Sequence, residues 1–184
     1  MMRPRRAMVV GALASAGLYL YLRPEHPLPP LAKRELRFAM LSAHKGDHET
    51  AGQHYDRAVA RTLVDAGDAS WQAASVLSTA GIYFSENGEP LRAGPLLTKG
   101  WILLLQQGRT SQALAVAQAL GHSLIEMGED TEAEKMLNAA LRLVKEHGKA
   151  DAQVRRSEGA IREQLGSILL GGHRCALDDL DKFC

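Results

Sequence analysis

The stretch LGHSLIEMGEDTEAEKMLNAAL, Leu120 to Leu141, sets a glycine just inside an apolar stripe. A Gly-Glu-Asp break follows seven residues later, and alanines stand at fixed offsets beyond it. It is either one helical hairpin or one copy of a repeated unit. Gly46, Gly88 and Gly128 decide between these, because each closes one apolar-periodic segment and opens another, at spacings of 42 and 40 residues. Five residues after them stand Ala51, Ala93 and Ala133, and nine after them Tyr55, Leu97 and Leu137. Twelve after come Ala58, Gly100 and Ala140; seven before come Ala39, Gly81 and Gly121; four before come Ser42, Phe84 and Leu124. Small residues on facing helices let two backbones approach, and the larger residue at offset nine fills the gap. A turn glycine supplies a backbone conformation that other side chains disfavour. Three segments in register predict a repeat.

Composition agrees with an all-α chain. The 184 residues are 46% apolar and 23% charged, rich in helix formers and without long β-branched runs. Lys and Arg number 22 against 21 acidic residues, a net charge of +1 that gives no field for nucleic acid. Cys175 and Cys184 are the only cysteines, too few for a disulfide scaffold and wrongly spaced for zinc. They read as free thiols, with a local bridge as the alternative in an oxidising space.

The first thirty residues bear on location. Arg3, Arg5 and Arg6 precede an uncharged run of 16 residues, Ala7 to Leu22, flanked by Tyr19, Tyr21 and Arg23. That is shorter than the roughly 20 residues a bilayer core normally requires, although flanking arginines can snorkel. The preferred expectation is a basic leader and single-span anchor over 1–23. A cleaved secretory signal, with Ala14-Ser15-Ala16 at the cut, and a soluble protein with a buried first helix are the alternatives. Pro24, Pro27, Pro29 and Pro30 read as a stiff spacer over 24–31, followed by a repeat domain over 32–184.

The three segments resemble tetratricopeptide repeats. KGDHETAGQHYDRAVA (Lys45–Ala60) carries the likeness through Gly46, Asp47, Ala51, Tyr55 and Ala58, and MGEDTEAEKMLNAAL (Met127–Leu141) through Gly128, Ala133, Leu137, Ala140 and Leu141. The middle copy has Gly100 where the pattern expects alanine. A degenerate fourth unit is read from Gly171, Ala176, Leu180 and Phe183. The units are about 32–66, 70–107, 110–147 and 150–184. The family period is about 34 residues, so each helix here carries an extra turn, as in the repeats of kinesin light chains. With the anchor and spacer, the layout is similar to fungal mitochondrial inner-membrane adaptors of the membrane AAA protease.

The resemblance implies a right-handed superhelical stack of antiparallel helix pairs with a concave groove. Carried onto this chain, the groove positions are Lys33, Leu36, Met40, Ala43 and His44; Ser75, Ser78, Ile82, Ser85 and Glu86; and Gln118, His122, Ile125 and Glu126. The positions assigned to repeat packing are Gly46, Ala51, Tyr55, Ala58, Gly81, Phe84, Gly88, Ala93, Gly121, Gly128, Ala133 and Ala140. The groove is weakly polar, with Lys33 nearly its only cation, which favours an apolar or helical peptide over a C-terminal carboxylate.

His44, His48 and His54 read as solvated turn histidines without a metal. No nucleophile elbow or phosphate loop occurs, so no enzyme activity and no cofactor are expected. Pro95 is expected to tilt or shorten its helix. The resulting expectation is a membrane-anchored scaffold or adaptor that binds a partner protein in mitochondrial quality control or complex assembly. It would be single-pass in the mitochondrial inner membrane, in contact with the bilayer through residues 7–22. A secretory-pathway membrane or secretion is the alternative location. A structural subunit of a large membrane complex is the alternative function, to be recognised by an apolar convex face.

Overall fold

The computed structural model describes residues 27–148 and 152–180, with side chains to residue 170. Seven helices follow one another: α1 (Pro30–His44), α2 (His48–Ala66), α3 (Trp71–Glu86), α4 (Pro90–Gln106), α5 (Thr110–Glu126), α6 (Asp130–His147) and α7 (Ala152–Leu180). The fold is all-α, and no strand occurs among the described residues.

One local device makes most of the reversals. After α1, α3, α4 and α5 the chain turns at Gly46, Gly88, Gly108 and Gly128, all at positive φ between 67° and 80°. The residue after each glycine donates its N–H five residues back: Asp47 to Ser42, Glu89 to Phe84, Arg109 to Leu104 and Glu129 to Leu124. These bonds satisfy carbonyls that a helix end otherwise leaves open. The next helix then starts at once, with Pro90 at a first-turn position where its missing N–H costs nothing. Asp47 caps α2 through the Thr50 amide, and Ser70 caps α3 through the Ala73 amide.

Consecutive helices pack in order, and two contacts skip a helix: α3 meets α5, and α5 meets α7. Among the described residues the backbones of α2, α4 and α6 do not pack on one another, although Arg92 of α4 reaches Asp56 of α2 at 2.8 Å, and α1 packs on α2 alone. α3 is buried continuously from Ala73 to Ser85. The sequence WQAASVLSTAGIYFSE has no charge before Glu86, and a helix without a polar face is stable only when enclosed. Two of its hydroxyls are satisfied within the helix, Ser78 donating to the Ala74 carbonyl and Thr79 to that of Ser75.

Crossing points are set by small residues. A Cβ on Gly81 would lie 2.7 Å from Leu97 Cγ, one on Gly121 2.7 Å from Leu137 Cδ2, and one on Gly100 2.7 Å from Ser78 Oγ. Ala39, Ala51, Ala58, Ala93, Ala133 and Ala140 are fully buried. Tyr55 stacks on Tyr83 with ring centroids 4.4 Å apart and meets Phe84 edge-on.

Several expectations need correction. The turn that a fourth unit places at Gly171 does not form: α7 runs as one helix of 29 residues through Gly171 and Gly172, so no helical hairpin closes there. Pro95 leaves α4 intact, with eleven further helical residues after it. The freed Leu91 carbonyl lies on an exposed turn where water can serve it. Among the described residues no helix is long and apolar enough to cross a membrane. α7 has the length, but Arg155, Arg156, Glu158, Arg162 and Glu163 interrupt it. This contradicts the expectations of a membrane-anchored adaptor, a transmembrane helix, bilayer contact and single-pass residence in the mitochondrial inner membrane. The run at 7–22 on which they drew lies outside the described residues, as does Cys184 and the side chain of Cys175.

Candidate functional site

The residues assigned to a groove are divided between the core and the surface. Leu36, Ser75, Ser78, Ile82 and Ser85 are buried. Ser78 is pressed against Gly100 of α4. Ser85 donates to the Ala119 carbonyl at 3.1 Å and accepts from Ser123 Oγ at 2.9 Å, which ties α3 to α5. Gln118 is covered by α7, donating to the Ser157 carbonyl, while its own backbone carbonyl accepts from Gln164. Met40, Ala43 and Ile125 are half-buried, and Lys33 and His44 are exposed on α1. His122 and Glu126 face water as an i,i+4 pair 3.4 Å apart. Since α1 does not meet α3, the three sets do not line one continuous channel.

Glu86 is the exception with chemical character. It is half-buried at the end of α3, and its Oε1 is enclosed without a hydrogen-bond partner. Burial pushes its carboxyl pKa up to about 7.

The histidines separate. His44 is exposed, His48 stacks on Tyr83, and the Tyr83 hydroxyl donates to the His48 carbonyl. His54 is no solvated turn residue: its Nδ1 donates to Glu35 at 2.7 Å across the α1–α2 contact. That hydrogen bond, ahead of the nearby Arg61 and Arg34 charges, holds the Glu35 carboxyl below the ordinary range. Glu35 sits inside an otherwise apolar face, so sequence periodicity gave it no partner. Among the described residues no group of three or more His, Cys, Asp and Glu is placed to hold a metal.

Two surfaces were not anticipated. The first is the outer face of α4, where Leu91, Pro95, Thr98, Ile102 and Leu105 are all exposed. Their spacings alternate four and three, the 3.5-residue period of a helix-docking seam. Leu91 is 80% exposed and Ile102 48%. Beside the row lies a cavity of about 550 Å³ lined by Asp68, Ala69, Pro95, Thr98, Ile102 and Leu103, among others. Lys99 and Asp68 bridge its edge at 3.4 Å. The row is visible in the sequence, but the repeat alignment draws attention to the inward positions of the same helix.

The second is a cavity of about 810 Å³ between α6 and α7. Its floor is Leu141, Val144 and Gly148, and its walls carry Arg142, Lys145, Arg155 and Arg162. No family model, curated protein or solved structure matches the chain.

Proposed function

We propose that the chain is a non-catalytic helical-repeat protein of tetratricopeptide type whose outer face seats an apolar helical segment of a partner protein. The observation that carries the binding reading is the row Leu91, Pro95, Thr98, Ile102 and Leu105, exposed along the length of α4. Isolated exposed apolar residues are ordinary, but a seam at helix-docking period is not. The repeat reading is supported by the recurring glycine turns, by the Gly81–Leu97 and Gly121–Leu137 crossings, and by α5 packing on both α3 and α7 while the backbones of α2, α4 and α6 stay apart. In such a stack one set of helices forms the inner layer and leaves the other outside, where α4 lies. Leu36, Ser75, Ser78, Ile82 and Ser85 on the inner helices are buried, which favours the outer face as the contact surface.

Photo-crosslinking tests this. A photoreactive residue at Thr98 of the full chain, in the cells that make it, is expected to capture a discrete protein. Ile102→Lys should remove that adduct, and the same probe at Val64, exposed on α2 outside the row, should not yield it. Identical adducts from Thr98 and Val64, or none from Thr98, would contradict the reading.

A further inference from the structure

The geometry points to a second binding site, the cationic cavity between α6 and α7, with an acidic peptide segment of a partner protein as its ligand. Arg142 and Lys145 come from α6, and Arg155, Glu158 and Arg162 from α7. Glu158 is engaged by Arg162 at 2.7 Å. Among the described residues Arg142, Lys145 and Arg155 have no carboxylate within ion-pair distance, although all three are exposed around one hollow. A chain with net charge of only +1 has gathered there, among the described residues, three cations without an ion-pair partner, so the field is local to this cavity. The carboxyl end of α6 and the amino end of α7 adjoin it with opposing dipoles, which leaves the side chains to set its sign.

The dimensions select the ligand. Arg155 and Arg162 are two turns apart, about 10 Å along the axis. A single phosphate is too small to engage both ends of the cavity. An extended peptide places same-face side chains about 7 Å apart, so alternate carboxylates reach successive cations. The apolar floor of Leu141 and Val144 takes an aliphatic side chain between them. Nucleic acid fits poorly, because among the described residues no aromatic side chain lines the cavity to stack a base. Asn138 adds a neutral donor at one end.

The site rests on the reading of the chain as a protein-binding scaffold only in taking a peptide as ligand, and it is separate from the α4 row. Its test uses purified full-length chain and a fluorescent peptide of about twelve alternating glutamate and leucine residues, followed by anisotropy. Binding is expected, weakening as salt rises, and absent for the same peptide with glutamine in place of glutamate. Lys145→Glu with Arg155→Glu should weaken it at least about tenfold, with the helical circular dichroism unchanged. Arg57→Glu, exposed on α2, should leave it as it was. The site is overturned if neither peptide binds, if both bind equally, or if the double variant binds like the parent. Tighter binding of a single-stranded oligonucleotide, lost in the same double variant, would also overturn the peptide assignment. Failure here with the Thr98 adduct intact would remove this site and leave the scaffold reading standing.

Discussion

Glu86 shows how a single residue couples burial to pH. Its carboxyl, enclosed at the end of α3, has its pKa raised to about 7 by burial. The folded value is above that of the unfolded chain, about 4.3, so the charged form is the one the fold penalises. Stability from this group is full below about pH 4 and is lost as pH rises through about 7. Glu86→Gln is therefore expected to match the parent near pH 4 and to be more stable at pH 8. Allowing for the part of the side chain in water, the gain is about 1–2 kcal/mol. Thermal melts of both proteins at the two pH values measure it; equal stability at pH 8 would contradict it. Nothing in the sequence singles out Glu86 this way. Its position marked it as a groove residue, whereas its pKa depends on what encloses it.

At the scale of helices, the contrast between Gly81 and Gly94 separates crossing points from free faces. Gly94 in α4 has nothing within 4 Å of where a Cβ would stand. Gly94→Ala should stabilise by up to about 1 kcal/mol through helix propensity alone. Gly81→Ala gains the same propensity, but its methyl meets Leu97 Cγ at 2.7 Å and the Leu97 amide nitrogen at 3.1 Å. Overpacking of about 1–3 kcal/mol then makes the net change destabilising. Urea midpoints that move the same way for both would show that Gly81 is no crossing point. Helices and turns were largely legible, because apolar periodicity and positive-φ glycines are local signals. Gly108 repeats the turn of Gly46, Gly88 and Gly128, yet it joins units instead of closing one, so a search at one period passes over it. Gly171 and Gly172 misled in the other sense. Glycine permits a turn without requiring one, and a helix running through both is the outcome here. The enclosure of α3 is written in its lack of charge before Glu86, whereas the repeat pattern assigns Ser75, Ser78, Ile82 and Ser85 of the same helix to an open groove.

For the whole molecule, the question is which helices lie side by side. Sequence patterns give pairs of neighbours well and layers poorly, because a layer is built by contacts between units some forty residues apart. Ser85 and Ser123 are such a contact, 38 residues apart and joined by a 2.9 Å hydrogen bond inside the core. Both proposed surfaces depend on this layering, since it sets α4 outside the stack and lays α7 against α5 and α6. A direct measurement replaces Cys175 and Cys184 with serine, introduces Ser85→Cys and Ser123→Cys, and follows oxidation by mass spectrometry of proteolytic fragments. The expected result is rapid, intramolecular linkage of fragments from α3 and α5, with helical circular dichroism unchanged. A folded, helical protein in which the two cysteines stay unlinked, or link only between molecules, would contradict the stack.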